Sequence, residues 1–585
     1  MMGSPPPPQM SDFSKLRLFR VHGLSWILLL TLSIASQAEI LSPSRRIQWD
    51  PGVPGGIPAL TTIFADVTQA PYNANKTGSS DAAPAIQSAI NNCPAGQVVF
   101  IPAGTYRLNS QLTIARSVVV RGAGPDKTIL QSYANWHAIQ VGDWPSAPVS
   151  RAVSGSLVKG ATQLTVSSLN TPSLSVGDFI VIDQINDGIE VLNVDAESRN
   201  GGTRCLSQIT TIKSITGSGP YILGIDPPLH HGFSLSQSPE IWELNQGTSI
   251  TRSGGVEDLR VIRVSPLNQN GYSNFKFLNA AYCWLKNVQS LDTIFWHVDL
   301  DRTFRCEIRD SLFSGGVYRT GGFAYGVVCG NRTTAALVEN NRFYRCRHSM
   351  VIQGGISGCV IGYNYSVDSD QGDGWLAGDI FPHGAHTTMN LFEGNCATKA
   401  QSDWTHGSSS YNSFFRNFIR CKSAFATSNQ GRRVVDMDIN NNYGNYIGNI
   451  LGSSGITWGA EETGSTRNNG SAYIWSFGFF SDGDTTRDST LPATSAFRHG
   501  NYSARSGAVS WDAATPDHAL PASLYLTSKP AWFGSLAWPP YEPGSGATAN
   551  PTNIPAGYLY VNGTKPPAQS GPSPPSNLRT IPMNP

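Results

Sequence analysis

The chain has 585 residues, 40% hydrophobic and 14% charged, with 59 glycines and 38 prolines. That mixture is too poor in charge for a coiled coil and too apolar for a disordered chain, and it points to short strands joined by many tight turns. Lys plus Arg number 41 against 40 for Asp plus Glu, so no overall charge draws the protein to nucleic acid or to an anionic membrane.

Residues 1–38 read as a secretory signal. Lys15, Arg17 and Arg20 precede an apolar run from Leu24 to Ala35, and Ser36-Gln37-Ala38 supplies the small residues of a cleavage site. The run is too short to span a bilayer, which needs ~20 apolar residues. The expectation is a secreted protein, extracellular or periplasmic, that is monomeric and free of membrane once the signal is removed. The nine cysteines are odd in number, so at least one is unpaired in a monomer.

Residues 39–149 are expected to form an N-terminal cap and the first coils, and 150–235 a small inserted β-module. In the latter, Gly160–Val166, Val176–Ile182 and Tyr221–Leu229 alternate apolar and polar residues between turns. From 236 to 455 a unit repeats. Taking Asp258, Asn287, Asp310, Asn341, Asn364, Asn395, Asn417 and Asn445 as one column gives a period near 27 residues, in the range of a solenoid. The apolar spacing within each unit is two, so the solenoid is built of strands. The expected class is all-β: a right-handed, single-stranded parallel β-helix with Asn and Gly at its bends and Cys283, Cys306 and Cys359 in stacked interior positions. Residues 456–564 read as final coils and an aromatic wrap, and 565–585 as a Pro-rich tail.

Near the start, Asp81-Ala-Ala-Pro-Ala-Ile-Gln-Ser-Ala-Ile90, Gln97-Val-Val-Phe-Ile-Pro-Ala-Gly-Thr-Tyr106 and Val118-Val-Val-Arg-Gly-Ala-Gly124 follow one another. This opening resembles that of the pectate-lyase-like superfamily, and most closely its rhamnogalacturonase, polygalacturonase and epimerase-like branch. The resemblance implies that a short helix caps the open end of the solenoid and that the Ile-Pro-Ala-Gly-Thr-Tyr segment begins the first coil. It also implies a polysaccharide partner, though fold alone does not fix the reaction.

Chemistry-bearing residues crowd between 348 and 422. Glycosidic hydrolysis needs one carboxyl to protonate the leaving oxygen and another to activate water or attack. Asp373 and Asp403 are the first pair by this reasoning, with Asp370 and Asp379 as alternatives and His383, His386 and His406 to orient substrate or tune an acid. Trp375, Trp404 and Tyr411 can stack on sugar faces, while His348, Arg347, Arg420 and Lys422 supply further substrate contacts. The polygalacturonase resemblance stops here: Asp370 and Asp373 are not adjacent, no Gly precedes His406-Gly407, and no Arg-Ile-Lys follows. The leading expectation is a glycoside hydrolase acting on a pectin-like or other acidic glycan, with no cofactor and no metal site. Two alternatives stay open: a polysaccharide lyase or epimerase, for which Ca²⁺ becomes a candidate cofactor, and a non-catalytic carbohydrate-binding solenoid.

Overall fold

The computed structural model describes residues 40–144, 148–170, 173–188, 203–244, 250–264, 271–372, 374–480 and 486–568. Residues 1–38, expected to be a signal, and most of the Pro-rich tail lie outside them.

A coil consists of three short strands, such as Trp284–Lys286, Gln289–Thr293 and Trp296–Phe304, and the next coil repeats them as Glu307–Arg309, Leu312–Gly316 and Tyr325–Gly330. Among the described residues the coils stack into three sheets of 12, 13 and 12 strands, called here sheets 1, 2 and 3 in the order in which a coil visits them. Pairing between coils is parallel, as a β-helix requires. Because side chains alternate across a strand, each in-register column is either wholly inward or wholly outward. In sheet 1, Val256, Leu285, Ile308, Val338, Ile361, Phe392 and Phe414 form one such column, all buried. Its aromatic end stacks ring on ring, Phe392 to Phe414 at 5.0 Å and Phe414 to Tyr446 at 5.1 Å.

The bend between sheets 1 and 2 corrects the single column expected from sequence, because two neighbouring columns share it. Asp258, Asn287, Asp310, Asn340, Tyr363, Gly394, Arg416 and Gly448 take the left-handed corner, with φ between 50° and 66°. In the next position Asn341, Asn364, Asn395, Asn417, Asn449 and Asn501 form a ladder, each Nδ2 donating to the following Oδ1 at 2.9–3.1 Å. Asn341, Asn364, Asn395 and Asn417 thus serve the ladder, not the left-handed corner, and Asn445 lies within a sheet 1 strand. At Gly394 the corner also needs a missing side chain, since a Cβ would come within 2.4 Å of the Tyr363 ring. The nine cysteines are all buried and unpaired, as expected of small apolar fillers.

The helix Ala83–Asn92 turns Ala83, Ile86, Ala89 and Ile90 onto the first coils. Gln87 ties it down by exchanging hydrogen bonds with the Thr113 backbone at 2.7 and 2.9 Å. Six described strands between Ser150 and Glu243 form a closed antiparallel barrel around Leu164, Ile180, Ile182, Ile212, Leu223 and Ile241. The barrel sits against the bend between sheets 3 and 1: Ile209 N donates to Thr334 Oγ1 at 2.9 Å, and Ser207 Oγ to the Gly355 carbonyl at 3.1 Å. On the outside of sheet 1, Tyr525, Phe533 and Tyr541 from the C-terminal wrap pack with Tyr363, Leu391 and Phe415. Tyr525 Oη donates to Glu339 Oε1 at 2.7 Å and fixes the wrap in place.

Candidate active site

The outward side of sheet 3 gathers the titratable groups. Strand pairing sets Ile352 beside Pro382 and Ser402 beside Met437. The next outward residues, His383, Asp403 and Asp438, therefore follow one another up three consecutive coils. Adjacent coils are ~4.8 Å apart, which brings together side chains far apart in sequence.

His383 and Asp403 are the central pair, with Nδ1 2.9 Å from Oδ1 and side chains 8% and 12% exposed. Burial alone would push the Asp403 carboxyl up; attraction and hydrogen bonding to His383, a hydrogen bond from Thr405 and attraction to His406 hold it below the usual carboxylate range. The His406 ring meets His383 edge-on at 4.7 Å. On the other side, Phe381 stacks on both His383 at 4.5 Å and His348 at 4.1 Å. His348 itself is buried, its Nδ1 2.7 Å from the Gly378 carbonyl. Burial, with Arg347 adding to it, drives its imidazole well below the ordinary value, so it stays neutral. Tyr325 stands edge-on to His348 and His383, at 4.9 and 6.4 Å, and its hydroxyl accepts from Arg347 Nη1 at 3.2 Å. Trp404 follows Asp403 directly and packs on Phe480 at 4.0 Å. Trp375 lies over Lys399, 5.0 Å from Nζ to the ring centre.

Beneath this patch runs a buried ionic chain that sequence reasoning did not pick out. Lys399 pairs with Asp436 at 2.8 Å, and Arg467 bridges Asp436 at 2.9 Å and Asp438 at 2.5 Å. The three cations Arg467, Lys399 and Arg433 outweigh burial and hold Asp436 far below the normal range. The period would have reached Asp438 had the loop after Cys421 not lengthened its coil.

Other expected site residues lie elsewhere. Asp379 is completely buried, accepting from Ser349, Ser369 and the Thr398 backbone, so it ties strands together instead of facing substrate. Asp370 is occupied by Arg345 at 2.9 Å and Arg319 at 3.2 Å. His386 takes a left-handed corner and faces Asp187 of the insertion at 4.0 Å. Tyr411 stacks on Tyr443 at 4.8 Å, at a different bend. Arg420 reaches the Ser366 carbonyl on the sheet 2 side, and Lys422 is exposed just beyond it. Asp373 lies outside the described residues. Among those residues no three His, Cys, Asp or Glu side chains cluster as a metal site.

Residues 67–216 match the family model described as rhamnogalacturonase A/epimerase, pectate lyase-like. No curated protein matches the chain by sequence. Among solved structures, the tailspike protein gp49 of Pseudomonas phage LKA1 is similar at 16% identity and a TM-score of 0.43, over 69% of this chain and 63% of the tailspike. This chain thus spans less than two thirds of that protein's length. The A-module of the Azotobacter vinelandii mannuronan C-5 epimerase AlgE6 is similar at 13% identity and a TM-score of 0.41, over 74% of this chain and 98% of the module. By its three stacked parallel sheets this chain is a parallel β-helix protein, and its first coils, with part of the insertion, are similar to the rhamnogalacturonase A/epimerase, pectate lyase-like family.

Proposed function

We propose that the protein is an enzyme acting on a uronate-containing polysaccharide, with His383 moving the proton next to the uronate carboxylate. The observation that carries this reading is the His383–Asp403 pair. The Asp403 carboxylate accepts a hydrogen bond from Nδ1–H of the imidazole, which orients the ring and makes Nε2 the acceptor in its neutral form. Abstraction of a proton beside a carboxylate builds negative charge that a nearby cation must offset, and Arg347 stands across Tyr325 from His383. Tyr325 is the hydroxyl acid of the same patch. If the glycosidic oxygen leaves, the outcome is β-elimination; if a proton returns to the other face, it is epimerisation.

Hydrolysis, favoured by the sequence, is the second reading, and one observation favours it: Asp403 and Asp438 occupy neighbouring coils of one outward column. It requires one of them to carry a proton. Asp403 is held ionised beside His383, and Asp438 is paired with Arg467, so neither is suited to be that acid. Product analysis over a panel of acidic polysaccharides separates the readings. New ultraviolet absorbance from an unsaturated uronate identifies elimination, altered stereochemistry in the intact polymer identifies epimerisation, and saturated reducing ends overturn both in favour of hydrolysis.

A further inference from the structure

A row of aromatic side chains leads into the His383–Asp403 patch along the edge where sheet 2 turns into sheet 3. Ile139, Phe275, Val298 and Val327 are in register on four successive coils. Shortly before each stands an aromatic residue: Trp136, Tyr272, Phe295 with Trp296, and Phe323. Trp136 is 41% exposed and the others are partly exposed. Trp136 and Tyr272 lie 4.6 Å apart, and Phe295 stacks on Trp296 at 4.2 Å and meets Phe323 at 5.7 Å. Trp296 Nε1 donates to the Gly322 carbonyl at 3.0 Å, which fixes the indole in place. The row joins the patch through Tyr325, whose ring is parallel to that of Trp296 within 3°.

We propose that this row is a glycan-binding platform on which a polysaccharide chain lies along the solenoid axis, its pyranose rings packed against the exposed parts of these aromatic rings and its reacting residue delivered to His383. Three coil intervals of ~4.8 Å carry it over about 14 Å, a repeat close to the length of one extended pyranose. A solenoid needs no aromatic residue at this edge: on the next coils the place passes to Arg347 and Ala377. Flat, partly exposed rings without charge suit the C–H faces of sugars, and continuity with the patch names the occupant. The platform rests on the proposed polysaccharide activity but is tested by binding alone.

The test uses the full chain carrying His383→Ala, so that no probe is consumed. Polygalacturonate and alginate oligomers, short and long, are titrated by tryptophan fluorescence. The platform predicts tighter binding of long oligomers than of trimers, and loss of that preference in Trp136→Ala and Trp296→Ala, with about a tenfold weaker Kd for long oligomers, as expected for the loss of one aromatic stack. Trp296→Phe, which retains a ring, should restore most of the preference and guards against misfolding of the Ala variant. Length preference unchanged in both Ala variants overturns the platform while leaving the His383 assignment intact. Absence of binding to every oligomer overturns both. Dimerisation that Trp136→Ala abolishes, without any effect of oligomers, assigns the row to a second copy of the chain and also overturns it.

Discussion

His383 and Asp403 meet across two coils, Nδ1 to Oδ1 at 2.9 Å, although 20 residues separate them. If Asp403 orients the ring, Asp403→Asn presents an amide that can donate to Nδ1, and the imidazole then carries its proton on the wrong nitrogen. The expected loss in kcat is about 10²–10⁴-fold for Asp403→Asn and at least as large for His383→Ala, with thermal unfolding little changed. Asp379→Asn gives the contrasting result. Its carboxylate serves Ser349, Ser369 and the Thr398 backbone inside the solenoid, so unfolding should shift by several degrees. Steady-state kinetics and calorimetry on the three variants separate a chemical role from a structural one.

The two aspartates show what the sequence can convey. Strand alternation and the asparagine repeat exposed the solenoid, and crowding of His and Asp between 348 and 422 located the side of it that holds Asp403, His383 and His406. Within that interval Asp379 and Asp403 look alike, because facing inward or outward depends on a one-residue register that variable bends conceal. Asp436, Asp438 and Arg467 fell outside the crowded interval, yet strand pairing sets Asp436 beside Gln401 and, one step past Ser402 and Met437, Asp438 beside Asp403, and Arg467 joins both aspartates by ion pairs. Asn341 and Asp310 likewise entered one column from sequence because their positions differ by a single residue across the coil.

Arg467 is fully buried between Asp436 and Asp438. Removing it by Arg467→Met takes away the cation that Asp436 and Asp438 share. Breaking a buried pair from one side costs about 3–5 kcal/mol. Combining Arg467→Met with Asp438→Asn removes one of the two buried charges that lost this cation and should recover a good part of that loss. Chemical denaturation of the single and double variants checks it, and equal destabilisation by both would mean that Arg467 acts through packing alone.

The two columns at the bend between sheets 1 and 2 should respond in opposite ways to substitution. Asn395 donates through Nδ2 to Asn417 and to the Ile361 carbonyl, and its Oδ1 accepts from Asn364. Asn395→Ala leaves buried partners unsatisfied, at a cost of about 1–3 kcal/mol per orphaned group. Asn287, partly exposed and at φ 51°, holds a conformation that glycine adopts freely, so Asn287→Gly should change stability by less than about 1 kcal/mol. Urea midpoints of the two variants test the distinction.

The seam between barrel and solenoid should weaken in acid. His230 places Nδ1 2.9 Å from Ser357 Oγ, and His231 adjoins it. Burial, with His231, Arg305 and Lys159 adding repulsion, lowers His230 to about 3; burial lowers His231 to about 4, with His386 pushing the same way. The unfolded chain takes these protons below ~6.5 and the folded chain refuses them until far lower pH. Their contribution is therefore complete above pH 6.5 and is lost as pH falls toward 4, at up to about 1.4 kcal/mol per pH unit for each histidine. Thermal unfolding followed from pH 7.5 to 4.5 should show this slope, and His230→Asn with His231→Leu should flatten it. An acid slope that survives both substitutions would assign the sensitivity to other groups, with buried His137 and His297, lowered to about 3 and about 4, the next to replace.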